Sequence, residues 1–466
     1  MKTLFLKSAL IGALIASGAA QPSDMEAATL SGQLATDPAN SDLSAIRQQI
    51  DLMRKEYEAR LQNLEHRLAQ AEQQAAESDE LREELVETVE ELALAPAGSQ
   101  VASRPSDFNP GIGIVMVGTA QRFDPSVDEF EIPGFSLGEE TGLGEEGFSI
   151  GESDFTLNGN VDDKFYGSMT LAVTKEEGVV LEEVYLQTLA LGAGFNIKAG
   201  RFFSSIGYLN EKHLHTDDFV GRPLPYRAML GNQYGDDGLQ LSWLAPTEIF
   251  WTVDLEVFRG DEFPAGGAAH RGFGTWALSS HWGGDFGDSH SWQAGLSLLS
   301  MDIEERSTGE DEEEFFTGDS ELYIADLVYK WAPAGNASNQ SVKLQGEYFW
   351  REEDGLFTMV DGEALIYDGG QSGWYLEGVY QFMPKWRLGL RHSQLEADRL
   401  STAFVDTSLD TQGHRPKQTS LMLDWTNSEF SRIRLQYSRD ESMPDAVDIW
   451  ALQYIMSLGA HAAHSY

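Results

Sequence analysis

Residues 194–246 read GFNIKAGRFFSSIGYLNEKHLHTDDFVGRPLPYRAMLGNQYGDDGLQLSWLAP, and the fold turns on them. At the start Phe195, Ile197 and Ala199 alternate with Asn196 and Lys198. At the end Leu239, Leu241 and Trp243 alternate with Gln240 and Ser242. A two-residue period marks a strand with two unlike faces. Between the strands lie about thirty residues without a period, punctuated by Gly207, Gly221, Pro223, Pro225, Gly231 and Gly235. A connection of that length inside a compact domain is functional or disordered. This one carries aromatics and both signs of charge (Arg201, Lys212, Asp217, Asp218, Arg222, Arg227, Asp236, Asp237), a poor composition for disorder. It reads as a segment folded into the mouth of a larger sheet.

Outward from there the same alternation recurs. Trp374, Leu376 and Tyr380 alternate with Tyr375, Glu377 and Gln381, and Trp386, Leu388 and Leu390 with Lys385, Arg387 and Arg391. Leu421, Leu423 and Trp425 alternate with Ser420, Met422 and Asp424, and Ile433, Leu435 and Tyr437 with Arg432, Arg434 and Gln436. Trp450, Leu452, Tyr454, Met456 and Leu458 make the last run. About sixteen segments begin near residues 111, 147, 161, 180, 194, 237, 248, 273, 289, 321, 341, 372, 385, 417, 431 and 446. That spacing matches tilted spanning strands of ~10 residues joined alternately by short turns and long loops. Trp331, Phe349, Trp350, Trp374, Tyr380, Phe382, Trp386 and Trp425 sit at run ends, as girdles at two bilayer interfaces would. The opposite faces carry Arg, Lys, Glu and Gln, which suit a wet lumen. The expectation is an all-β transmembrane barrel of about 16 antiparallel strands over residues 111–466.

The N-terminal quarter differs. Residues 1–20 show Lys2 and Lys7 ahead of an apolar run and small residues to Ala20, the pattern of a secretory signal peptide. Its removal takes the formal charge from -43 to -45, two lysines and no acids being lost. Residues 21–42 are a flexible segment. In residues 43–95, Leu43, Ile46, Ile50, Met53 and Tyr57 step by three and four, and the pattern resumes after a stutter at Leu61, Leu64, Leu68, Ala71 and Ala75. This is the heptad of a helical coiled coil, reaching ~75 Å into the periplasm and joining three copies in a homotrimer. A single helix packed on a neighbouring domain is the alternative. Residues 96–110 are a linker. No other run of eighteen apolar residues exists, which excludes a helical membrane protein. There are no cysteines, so no disulfide framework.

Charge and motifs narrow the chemistry. Residues 124–154 hold ten acids and no Lys or Arg, and residues 302–321 hold ten acids and Arg306 alone. Such loops are solvated surfaces, and they also form a vestibule that concentrates cations. Arg387, Arg391, Arg432 and Arg434 would project into the lumen from neighbouring strands with Asp424 among them. With Arg201, Arg222 and Arg227 from the loop they make a basic wall opposite acids, a transverse field at a constriction. No G-x-S-x-G, H-E-x-x-H or phosphate-cradling glycine loop is present, so no enzyme is indicated. So acidic a chain is no nucleic-acid partner.

GRFFSSIGYLNEKHLHTDDF, PLPYRAMLGNQYGDDGLQLSWLAPT and the tail YIMSLGAHAAHSY resemble a proteobacterial family of zinc-regulated outer-membrane receptors, itself distantly similar to phosphate-selective porins. The resemblance implies an outer-membrane barrel of a Gram-negative cell, tied to metal supply. Some members are described as TonB-dependent receptors, but residues 21–105 are helix and linker rather than a plug, and the barrel is too short for 22 strands. In an extended segment His213, His215 and Asp217 would share one face, with Asp218 beside them, and imidazole plus carboxylate suits zinc as a transported ion rather than a resident cofactor. The bland reading of the pair is polar loop surface; His461 and His464 are candidate partners from the tail. Tyr466 would be the terminal aromatic read by the barrel-assembly machinery, although the last membrane strand ends near Leu458. The functional expectation is a porin-like channel for small polar solutes, metal ions among them, narrowed by the central loop. An energised metal receptor and a tether between outer membrane and cell wall are the alternatives.

Overall fold

A computed structural model describes residues 110–459 apart from 128–129, 139–140, 175–177, 190, 267–271, 308–313 and 429. The signal peptide, the flexible segment, the coiled coil, the linker up to residue 109, the tail histidines and Tyr466 lie outside the described residues.

The described chain is a closed barrel of sixteen antiparallel strands, each paired with the next in sequence. They are β1 (Gly111–Asp124), β2 (Gly147–Ile150 and Ser153–Asn160, one strand interrupted), β3 (Phe165–Thr174), β4 (Gly178–Thr188), β5 (Phe195–Phe203), β6 (Gly235–Leu244), β7 (Phe250–Phe258) and β8 (Thr275–Phe286). Then follow β9 (His290–Ser307), β10 (Phe315–Trp331), β11 (Ser341–Thr358), β12 (Ala364–Met383), β13 (Trp386–Ala397), β14 (Lys417–Ser428), β15 (Ser431–Glu441) and β16 (Val447–Gly459). Closure runs from Gly113↔Gly459 to Asp124↔Asp448, so β1 and β16 leave no free edge. Sixteen strands are fewer than the 22 of an energised outer-membrane receptor.

The outward face is apolar. Leu239, Leu241, Leu296, Leu327, Leu344, Leu376, Leu388, Leu421, Leu435 and Leu452 are exposed on it, with Trp350, Trp374, Trp450 and Tyr454 among them. In water such a belt would aggregate; in lipid it is the stable surface. No helix among the described residues is long and apolar enough to cross a membrane.

Two features depart from expectation. Strands β9 to β12 are 18, 17, 18 and 20 residues long, well beyond the ~10 that span a bilayer. In the excess the polarity inverts. Asp302, Glu304, Asp319, Glu321, Glu352 and Asp354 face outward while Leu299, Met301, Ile303, Phe316 and Leu322 are buried inside. This inversion hid the true starts of β10 and β12, at 315 and 364 rather than 321 and 372; β3 starts at 165 rather than 161. Phe349, expected in a girdle, points inward against Tyr226 with ring centres 5.0 Å apart.

The second departure is that the lumen is wet at one end only. At the long-loop end four connections fold inward and pack. Ile132 and Phe135 come from the β1–β2 loop, and Ile206, Leu224, Met229 and Leu230 from the β5–β6 loop. Ala265, Phe404 and Leu409 complete a core against Phe258, Leu299, Ile324, Phe357 and Leu395 of the wall. The inward face there is apolar because it meets protein, not water.

Candidate functional site: the central loop

The β5–β6 connection, residues 204–234, crosses the lumen. Pro223 and Pro225 pre-set the first turn of the short helix α1 (Leu224–Leu230), and Gly231, at φ +59°, closes it in the left-handed region that a side chain resists. All seven helical residues are buried.

Besides the apolar packing, polar contacts tie the loop to the wall at several places. Ser205 N donates to Glu256 Oε1 at 3.0 Å, Gly207 N to Ser297 Oγ at 3.1 Å and Tyr208 N to Glu347 Oε2 at 3.0 Å. The Tyr226 hydroxyl donates to the same Glu347 carboxylate at 3.0 Å. On the far side Val220 exchanges both backbone hydrogen bonds with Gln436, at 2.7 and 3.1 Å. Phe219 lies on Val379 and Met422.

The predicted basic wall exists, and the loop covers it. Asp424 Oδ2 accepts from Arg387 Nη2 at 2.7 Å and lies 3.7 Å from the Nε of both Arg432 and Arg434. Asp218 of the loop meets Lys343 Nζ at 2.9 Å and Arg387 Nη1 at 2.7 Å. Burial alone would raise the Asp218 carboxyl, but Lys343 and Arg387 outweigh it and hold it below the usual range. Arg432 donates to the His215 carbonyl at 2.6 Å, Arg434 to the Asp217 carbonyl, and Arg391 to the Gly221 carbonyl at 2.9 Å. Asp217 pairs with Arg222, Nε to Oδ2, at 2.8 Å.

The other predicted residues are distributed as follows. Arg387 and Arg432 line the cavity described below; Arg201, Arg222, Arg227, Arg391, Arg434 and Asp424 do not. Arg201 pairs with Asp237 and Glu262, and Arg227 is buried against the Gly142 carbonyl and Asp440. Arg387, Arg391, Arg432 and Arg434 are thus all engaged with the loop, and Arg387 and Arg432 also reach the cavity.

The expected face of His213, His215 and Asp217 does not form. Residues Leu214–Thr216 make a 3₁₀ turn, which sends the histidines one way and the aspartates the other. His213 Nδ1 lies 3.2 Å from Glu182 Oε2, its Nε2 3.3 Å from Glu183 Oε2, and His215 Nδ1 2.7 Å from Asp154 Oδ2. The two imidazoles stack with ring centres 5.6 Å apart. Burial pulls His213 down, but the neighbouring carboxylates of Glu182 and Glu183 prevail and raise it well above the usual imidazole range. Asp154, Glu182 and Glu183 escaped the sequence reading. The doublet in VVLEEVYL breaks strand alternation, and that break was the available signal.

Below the loop, at the short-turn end, is an open cavity of about 1890 Å³, lined by Glu183, His213, His215, Asp218, Lys343 and Arg387 with further polar groups. Polar walls of both signs suit hydrated small solutes.

No family model matches the chain. A protein of Aquifex aeolicus, described only as uncharacterized, is 28% identical over 395 residues, covering 77% of this chain and 80% of that protein. Similar solved structures include the outer membrane channel DcaP of Acinetobacter baumannii (TM-score 0.48, 11% identity, 75% of this chain and 97% of that one). The anion-selective porin from Comamonas acidovorans gives TM-score 0.45 at 10% identity, over 75% of this chain and 99% of that one. Likeness at this level leaves the assignment to the strand pairing and the outward apolar belt of this chain.

Proposed function

We propose that the chain is an outer-membrane, porin-like channel for small polar solutes, divalent metal ions among them, with the central loop as its constriction. One observation carries the reading: a lipid-facing closed barrel holds a loop across its lumen by ion pairs, above a polar cavity open at the short-turn end. Ion pairs and hydrogen bonds to wall side chains can be exchanged for water, whereas a purely apolar plug could not be displaced so readily. Short turns face the periplasm in such barrels, so the cavity opens inward to the cell and the packed loops face outside. The coiled coil of residues 43–95, holding three copies, and insertion into outer-membrane lipid by the barrel-assembly machinery belong to the same reading.

The test is conductance in planar bilayers. Folded protein is expected to insert in discrete conducting steps. Sealed bilayers, with protein that still migrates differently on gels before and after boiling, would remove the channel reading.

A further inference from the structure

The cluster at the loop–wall seam is built in an unusual way. The β3–β4 pairing shifts register between Thr170 and Leu171, so Glu183 faces Thr170, Leu181 faces Leu171 and Glu182 is the extra residue of a β-bulge. Both glutamates then turn inward, while Leu181 and Val184 stay on the lipid side. A second bulge interrupts β2. Between the pairs Gly118↔Ile150 and Val115↔Asp154, two residues of β1 oppose three of β2, and Asp154 lies beside that break. Bulges re-aim side chains, and two of them on neighbouring strands converge on His213.

The convergent groups are short of hydrogen-bond partners. Asp154 is 2% exposed, yet neither of its oxygens has an aligned hydrogen bond; the same holds for Glu182 Oε2 and His213 Nδ1. His215 Nδ1 comes within 2.7 Å of Asp154 Oδ2, but the two are not aligned as a hydrogen bond. One ligand atom each from Asp154, Glu182 and His213 lies within 4.8 Å of the others. Three carboxylates gathered at this seam, Asp154 buried and Glu182 and Glu183 half-buried, favour a cation there.

We propose that Asp154, Glu182 and His213 bind a divalent first-row transition ion, with zinc as the working case, and that its fourth position opens to the cavity. Ligands ~2.0–2.1 Å from a tetrahedral ion stand about 3.3 Å apart, and His213 Nδ1 and Glu182 Oε2 are already at 3.2 Å. Glu183, 3.3 Å from the other imidazole nitrogen, accepts the Nε2 proton and so leaves the Nδ1 lone pair for the metal. His215 steadies Asp154. Two of the three ligands come from the wall and one from the loop, so a bound ion ties the constriction shut at this seam. Three protein ligands with an open position make an exchangeable site. The proposal rests on the channel reading only for the route by which the ion arrives.

The test is equilibrium dialysis of the tag-free, detergent-folded full chain against Zn²⁺. One ion per chain is expected, with a shell of N and O ligands at ~2.0–2.1 Å by X-ray absorption. H213A and the near-isosteric E182Q are expected to abolish stoichiometric binding. The positioning variant E183Q is expected to weaken it about 10- to 100-fold without removing the ion's N/O shell. H392A, remote from the cluster, should bind as the parent does. No stoichiometric zinc, or equal binding by E182Q that still shows the boiled-versus-unboiled gel shift, overturns the site. Conductance without bound zinc removes the site and keeps the channel; bound zinc with sealed bilayers does the reverse.

Discussion

Replacing Asp218 by asparagine probes what holds the loop across the lumen. The carboxylate contacts Lys343 at 2.9 Å and Arg387 at 2.7 Å and is only 8% exposed. Hydrogen bonds to charged groups contribute ~1.5–3 kcal/mol each. Neither cation is stranded by the change: Lys343 keeps Glu377 at 3.7 Å and Arg387 keeps Asp424 at 2.7 Å. The amide oxygen also retains one contact. The net loss is therefore about 3 kcal/mol of loop docking, at the lower end of the ~3–5 kcal/mol for breaking a buried pair outright. At ~1.4 kcal/mol per tenfold, the undocked population rises about a hundredfold. Single-channel recording should show that rise as time spent in a higher-conductance state, and limited proteolysis should cut the loop faster. The exposed pair of Glu396 with Arg415 is the control, since E396Q should change little. D218N behaving like E396Q would refute the docking argument.

Two further outcomes follow from the same contacts. Because the folded Asp218 carboxyl is depressed, its stabilisation is full above the unfolded value of ~3.9 and is lost as pH falls below it; loop opening should increase below about pH 4 in the parent and show a smaller acid response in D218N. Gly207 has φ +63°, and a Cβ there would come 2.5 Å from Glu347 Oε2 and 2.7 Å from the Tyr226 hydroxyl, so G207A should weaken loop docking by ~1–3 kcal/mol, read by the same proteolysis, and an unchanged cleavage rate would contradict the placement of that turn.

The barrel was legible along the chain because a membrane strand announces itself locally. Leu421, Leu423 and Trp425 against Ser420, Met422 and Asp424 need only a period of two and an apolar phase, and lipid enforces that phase wherever the strand is immersed. Where β9 to β12 leave the bilayer the enforcing solvent changes, the phase reverses, and ends read from hydrophobicity go astray. The basic wall was equally visible, since Arg387, Arg432, Arg434 and Asp424 occupy inward positions of adjacent strands. Its use was not. Whether a guanidinium faces water or the Asp217 carbonyl depends on where residues 204–234 lie, and no local pattern encodes that path.

The cluster proposed to bind metal shows the division most plainly. Sequence supplied His213 and His215 as candidates and grouped them with Asp217 and Asp218 because neighbours in a chain are neighbours on an extended face. A single 3₁₀ turn undid that grouping, and two bulges brought Asp154, Glu182 and Glu183 in from strands up to sixty-one residues away. Alternation and composition determine which solvent each strand meets. Which charged side chains meet one another is decided by barrel closure and the path of the loop, because those pairings join residues whose separation along the chain carries no periodic signal.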